Sequence, residues 1–256
     1  MRPYTRMYWE KEIPVLRKFG LRDGMSVVEL GSGPGIVADL LLHRFPGVTL
    51  TGVDFREEMV KRARKYLSGR GHEGFRVVHA DIRDTGLPGD AFDFAYARLV
   101  FRYLPDPLEA VREAMRILKP GGKLAISDVD LDLWGIFHPP MPELTPVLDA
   151  YGRRLRERGG DAHIGRRLPG LLTTEGFVRP LMETIAVTSQ DLPEGLDMET
   201  FLAPIGLARL TRLVKEGWLT EEKAEQARVA WNRFLESPSP LVLKVMLAAS
   251  GAKPPG

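Results

Sequence analysis

Nine residues near the start of the chain, Val27-Val28-Glu29-Leu30-Gly31-Ser32-Gly33-Pro34-Gly35, join a short apolar run to a helical pattern beginning at Ile36. Glycines at 31, 33 and 35 let backbone turn sharply and approach a ligand more closely than a Cβ would allow. Nineteen residues after Gly35, the run Thr51-Gly52-Val53-Asp54 ends in a carboxylate, an acceptor with two oxygens. Glycine loop, helix start and strand-end acid together read as a site for a nucleoside-containing cofactor. A dinucleotide loop asks for a small residue where this chain has Ile36, whose stiff branched side chain disfavours a buried pyrophosphate.

These residues need a frame, and the first half of the chain supplies one. Short apolar runs near 26–30, 48–53, 75–79, 92–97 and 122–128 read as strands. Between them lie helical stripes marked by Val37, Leu40, Leu41 and Phe45, by Met59, Val60, Ala63 and Leu67, and by Leu108, Val111, Met115 and Leu118. Such alternation predicts a parallel sheet with helices on both faces, and ligands in such sheets bind beyond the carboxyl ends of the strands. The glycine loop, Asp54, Asp81 after the third strand and Arg98 after the fourth are thus expected around one crevice.

Four motifs in order over residues 20–130 carry a family resemblance. They are the Glu29-to-Gly35 loop, Ala80-Asp81-Ile82, Phe92-Asp93-Phe94-Ala95-Tyr96-Ala97-Arg98, and Arg116-Ile117-Leu118-Lys119-Pro120-Gly121-Gly122. The chain resembles the class I S-adenosylmethionine-dependent methyltransferases, of the ubiquinone/menaquinone-methyltransferase-like, small-molecule kind. The resemblance implies a doubly wound, Rossmann-like α/β fold with a seven-stranded, mostly parallel sheet in the order 3-2-1-4-5-7-6. It implies S-adenosylmethionine as cofactor. Glu29, Gly31, Ser32 and Gly33 would face its methionyl end and Asp54 its ribose. Phe55 and Met59 would meet the adenine face, and Ala80, Asp81 and Ile82 the adenine edge. Arg98 would lie near the methionyl end and the acceptor.

Beyond residue 130 the alternation stops. An amphipathic helix spans 143–158, a last sheet-packing helix 164–175, and strands six and seven fall near 178–188 and 241–249. About fifty residues separate those two strands. They hold one helical region with Met198, Phe201, Leu202, Ile205, Leu210, Leu213 and Val214. A second, with Ala224, Ala227, Trp231, Phe234 and Leu235, is capped by Thr220. The expected arrangement is a single domain over 1–256, with a core of 20–130, 164–190 and 238–250. A helical cover of 131–160 and 191–237 sits on the carboxyl edge of the sheet.

Acceptor-side candidates are Phe101, Arg102 and Tyr103 after strand four, and Trp134 and Phe137 beyond strand five. Asp128 and His138 are the candidate bases; imidazole titrates near neutrality. Arg153, Arg154, Arg156, Arg158, Arg166 and Arg167 offer an anion site, but Glu157 and Asp161 among them favour a solvated helix face. No Asn-Pro-Pro-Tyr-type tetrad follows strand four, where the sequence is Ala97-Arg98-Leu99-Val100, which disfavours methylation of the exocyclic amine of adenine or of glutamine side chains. Helices bearing aromatic residues suit a small organic acceptor.

Composition narrows the field further. The 256 residues contain no cysteine, which excludes disulfides, thiolate metal sites and methylation through a cysteine adduct. No metal site is expected. A net charge of +2 with interspersed acids gives no broad nucleic-acid footprint. No apolar run reaches the ~20 residues of a membrane span, and the N-terminal residues lack a signal-peptide pattern, so a cytoplasmic monomer or homodimer is expected. The alternatives are an RNA or protein methyltransferase, a non-catalytic S-adenosylmethionine-binding protein and, more distantly, an oxidoreductase.

Overall fold

The computed structural model describes residues 3–72, 74–192, 198, 201 and 207–256. Its sheet has eight strands: β1 (Ser26–Leu30), β2 (Thr49–Asp54), β3 (Phe75–His79), β4 (Phe92–Arg98), β5 (Leu118–Val129), β6 (Ile136–His138), β7 (Val178–Thr188) and β8 (Leu241–Ala252). Five run parallel in the order β3-β2-β1-β4-β5, and β8 follows antiparallel to β5. The far edge of β8 is shared end to end. β7 pairs with it from Leu243 to Ala252, and the three-residue β6 pairs from Leu241 to Leu243. β7 and β8 are the sixth and seventh strands read from the sequence, so the expected order holds. β6 is an addition, formed within the 131–160 stretch that the sequence assigned to the helical cover.

Side chains of alternate residues leave a strand on opposite faces, and here each face has its own core. Val27, Phe94, Tyr96 and Ala125 pack with helices α1 (Pro3–Phe19), α2 (Ile36–Arg44) and α3 (Glu57–Ser68). Their neighbours Val28, Ala95, Ala97, Leu124 and Ile126 pack with α4 (Pro107–Ile117) and α6 (Ile164–Thr174). α4 starts where Asp106 accepts the Leu108 N–H at 2.9 Å, with Pro107 supplying a first residue that needs no partner for a missing N–H. It ends at Ile117. Strand β5 then begins at once, with the Lys119-Pro120-Gly121-Gly122 segment forming a register shift against β4 rather than a separate turn.

Helix α1 is the element the sequence reading did not foresee. Its buried face carries Tyr8, Leu16 and Phe19 and also the fully buried Glu12, while Pro14 in its interior points to solvent. α5 (Thr145–Glu157), α7 (Leu207–Lys215) and α8 (Glu221–Leu235) pack on one another. Thr220 caps α8 by accepting the Lys223 N–H at 3.3 Å. Leu202 and Ile205, read from sequence as helical, lie outside the described residues. Among the described residues no helix is long and apolar enough to cross a membrane.

Candidate active site

The bend after β1 is held by strand β2. The N–H groups of Gly31 and Ser32 both donate to the Val53 carbonyl, at 2.8 and 2.9 Å. Gly31 has φ +78°, and a Cβ built on it would lie 2.4 Å from Val100 Cγ2, so only glycine fits. Gly33, at φ +54°, faces open space within 4 Å of its missing Cβ. Asp54 reaches back across the bend: its Oδ2 accepts the Gly33 N–H at 2.9 Å and its Oδ1 the Arg56 N–H at 2.9 Å. With only 4% of its surface exposed, this carboxylate is aimed before any ligand arrives.

Beneath the bend sits Glu29. It is 2% exposed, and its Oε2 has no hydrogen-bond partner among the described residues; nor does the Oγ of buried Ser32. Burial moves the Glu29 pKa from 4.5 to about 8; nearby Arg98 opposes the rise, and the charges of Asp54 and Glu12 add to it. A buried, unpartnered carboxyl is costly, and it is the group one expects where a cationic ligand completes the site. These orphaned oxygens beside an open glycine backbone fit the ammonium-bearing end of S-adenosylmethionine.

A cavity of about 990 Å³ opens along the carboxyl ends of the strands, lined at one end by Gly31, Gly33, Asp54, Phe55, Asp81 and Ile82. Phe55 is 68% exposed there, so it is not the core residue its aromatic character allows. Arg83 grips Asp81 through two side-chain hydrogen bonds of 2.8 and 3.0 Å and holds its carboxyl below the usual range. Met59 and Ala80 do not line the cavity.

At the end of β4, Arg98 lines the middle of the cavity and donates to Glu12 Oε2 at 2.7 Å. The Tyr96 hydroxyl donates to the other Glu12 oxygen. α1 thus reaches across β4 to fix the arginine. Leu99, next in line, adopts φ +58°, a left-handed conformation unfavourable for a branched side chain, and it too faces the cavity. Such strain is tolerated where surrounding structure over-determines it, here through the Leu99 N–H bond of 2.8 Å to the Ser127 carbonyl.

Beyond Arg98 the cavity is walled by Tyr103, Leu104 and Pro105 from the segment after β4, by Tyr151 and Arg154 of α5 with Arg158 just past its end, and by Arg209, Arg212 and Leu213 of α7. Several acceptor-side expectations are corrected here. Phe101 is fully buried in the core shared with α4 and α6. Trp134 is buried and stacks on Tyr8 of α1, with ring centroids 6.2 Å apart. Phe137 stands edge-on to Phe234 of α8, because β6 pairing directs it away from the crevice. Arg102 lies against Asp128 of β5, 3.8 Å away. Asp128 itself is fully buried, its oxygens taken by the N–H groups of Arg102 and Val129. His138 is exposed on β6 and lines no part of the cavity, so neither candidate base reaches it.

Sequence reasoning missed Glu12, Leu99, Tyr151, Arg209 and Arg212 as residues of the site. A second cavity, of about 750 Å³, lies between α5 and the turn before α8 and holds Arg153, Arg156 and His163, remote from the glycine bend.

Comparison with known proteins agrees with this geometry. Residues 28–126 match the family model described as a methyltransferase domain. The trans-aconitate 2-methyltransferase of Azoarcus sp. is 37% identical over 112 residues, covering 44% of this chain and 42% of that protein. The demethylmenaquinone methyltransferase of Listeria monocytogenes is 27% identical over 146 residues, 57% of this chain and 58% of that one. The chain therefore spans about half the length of these curated relatives. A putative methyltransferase structure from Bacillus halodurans shares the fold, with a TM-score of 0.62 at 19% identity, covering 94% of this chain and 98% of that one. The family match begins inside β1 and ends inside β5, so the strands whose ends build the crevice are the ones that match a methyltransferase domain.

Proposed function

We propose that this chain transfers a methyl group from S-adenosylmethionine to a small organic molecule. One observation carries the reading: a single cavity joins the glycine bend and Asp54 to a walled chamber of arginines and tyrosines beyond Arg98, so that donor and acceptor would share one enclosure. When bound, S-adenosylmethionine supplies a methyl group already activated on a positively charged sulfur. What remains for the protein is to bind, orient and keep water away, which can contribute ~7–11 kcal/mol of the barrier.

The assignment of residues follows from chemistry. Glu29 and Ser32 offer acceptors to the ammonium of the methionyl end, with Gly31 and Gly33 letting it approach the backbone. Asp54 accepts from the ribose hydroxyls with lone pairs its loop bonds leave over. Phe55 and Met59 would offer an apolar face to adenine, and Ala80, Asp81 and Ile82 its edge. Arg98, fixed by Glu12, marks the boundary with the acceptor. Neither Asp128 nor His138 supplies a base at this cavity, so acceptors already nucleophilic at neutral pH are favoured.

Calorimetric titration with S-adenosylhomocysteine, followed by transfer of labelled methyl from S-adenosylmethionine into a pool of small metabolites, tests the reading. Binding without transfer to any acceptor would leave a non-catalytic binder; label appearing in RNA or protein instead would overturn the small-molecule acceptor.

A further inference from the structure

The acceptor chamber is lined by more positive charge than its surroundings neutralise. Five guanidinium groups line the cavity from its middle to its far end: Arg98, Arg154, Arg158, Arg209 and Arg212. Among the described residues two carboxylates form ion pairs with them. Glu12 takes Arg98, and the single Glu216 is shared by Arg154, by Arg158 at 3.5 Å and by Arg212 at 2.9 Å. Among the described residues, five cations against these two anions leave an excess of three positive charges at this end of the cavity.

Helical geometry makes this arrangement specific to the chamber. Arg154 on α5 and Arg158, the residue that follows the helix, both line the chamber, as do Arg209 and Arg212, three apart on one face of α7. Arg153 and Arg156, offset from them, turn to the other cavity. Arg166 is absorbed by Asp130 and Asp132, and Arg167 by Asp161. Of the six arginines that a solvated helix face would present together, Arg154 and Arg158 line the cavity that holds the glycine bend. Arg209 lies over the Tyr151 ring, its central carbon 4.1 Å from the centroid, which fixes its guanidinium as a planar fork for oxyanions. Tyr103 and Tyr151 complete the lining with two phenols able to donate.

We infer that the acceptor is a multiply charged oxyanion, a polycarboxylate or a phosphomonoester, bound by Arg154, Arg158, Arg209 and Arg212 with Tyr103 and Tyr151. Its charge would both satisfy the forks and draw the molecule into the cavity, an attraction that salt weakens. This inference rests on the methyltransferase reading of the same cavity, and the test separates the two.

Protein saturated with S-adenosylhomocysteine is titrated by calorimetry with citrate, with phenyl phosphate and with neutral triethyl citrate. The expected result is binding of citrate or phenyl phosphate, weakened at least tenfold between 20 and 300 mM salt, as ~10 Å screening lengths at 0.1 M imply, with no binding of the ester. Which of the two anions binds identifies the carboxylate or the phosphate source. In the Arg209→Gln/Arg212→Gln variant, anion affinity falls at least tenfold while S-adenosylhomocysteine affinity and thermal midpoint hold. Single Arg158→Gln, at an exposed position, gives a smaller loss in the same direction. Ester binding as tight as citrate, no binding of either anion, or anion binding unaffected by all three substitutions would overturn the inference. Failure of S-adenosylhomocysteine itself to bind would instead overturn the reading beneath it.

Discussion

Replacing Glu29 with glutamine tests the electrostatics at the base of the site. Glu29 is 2% exposed, and burial places its pKa at about 8 rather than 4.5, with Arg98 opposing and Asp54 and Glu12 reinforcing the rise. Between those two pH values the folded protein holds a proton that the unfolded chain has released. Folding stability from this group is therefore complete below about pH 4.5 and declines as pH climbs to about 8. At ~1.4 kcal/mol per pH unit the interval amounts to about 5 kcal/mol, and relaxation with water entry would reduce it to ~2–4 kcal/mol. Glu29→Gln keeps the shape and cannot ionise. Urea denaturation over a pH series should show variant and wild type converging in acid and the variant gaining ~2–4 kcal/mol by pH 8.5. A second readout concerns the ligand. An ammonium beside Glu29 favours the carboxylate, so at pH 7 the wild type should release a substantial fraction of a proton on binding S-adenosylhomocysteine, seen as a buffer-dependent enthalpy. Glu29→Gln should release none. A stability difference that is flat with pH, together with no proton release, would refute the argument.

Three further outcomes follow from other parts of the fold. Asp54→Ala removes the acceptor of two loop N–H groups and should weaken S-adenosylhomocysteine binding by ~2–4 kcal/mol in calorimetry, on the scale of two charge-assisted bonds; unchanged affinity would remove the ribose assignment. Phe101→Ala should cost about 3–5 kcal/mol in urea denaturation, because the ring is fully buried and its loss leaves a cavity in the core; a loss under ~1 kcal/mol would place the ring outside that core. Lys244 is buried between aromatic rings with its Nζ 2.6 Å from the Phe201 carbonyl. Burial, with Arg209 nearby, lowers its pKa from 10.5 to about 7. The unfolded chain then holds more protons between those values, so wild-type stability should rise with pH across that window. Lys244→Met should lack the rise, and its persistence in denaturation at pH 7 and 9.5 would refute the assignment.

Local features were legible in the sequence because local rules produce them. A strand, a bend with φ positive at Gly31, Gly33 and Gly35, and a following helix are written in consecutive residues. Alternating and 3.6-residue periods likewise located the parallel strands and α2 to α4. Helix α1 escaped because its buried stripe is broken in type rather than spacing. Glu12 stands where an apolar residue would be expected, and Pro14 lies in the helix interior. Only the tertiary partners Tyr96 and Arg98, 84 and 86 positions away, make a buried acid there intelligible. Trp134 and Phe137 misled for a related reason. Proximity to the end of β5 is visible in sequence, but pairing of Ile136–His138 with β8 decides which way those rings face, and that pairing joins residues about a hundred positions apart.

The arginines make the same point in terms of charge. A run such as Arg153-Arg154-Leu155-Arg156-Glu157-Arg158 reads as a solvated face because acids are interspersed along the chain. Neutralisation, however, depends on which side of the helix each charge occupies. Glu157 forms no ion pair with Arg154 or Arg158 among the described residues, and both turn instead toward Glu216 of a different segment. One carboxylate serving three guanidiniums cannot neutralise them, whatever the near-zero balance of the whole chain, and the surplus lies in the cavity that also holds the glycine bend. Charge excess in a cleft with low-dielectric walls acts at longer range than the same charges on an open face. Net charge is therefore silent about a concentrated field inside the protein, which only the packing of α5 against α7 creates.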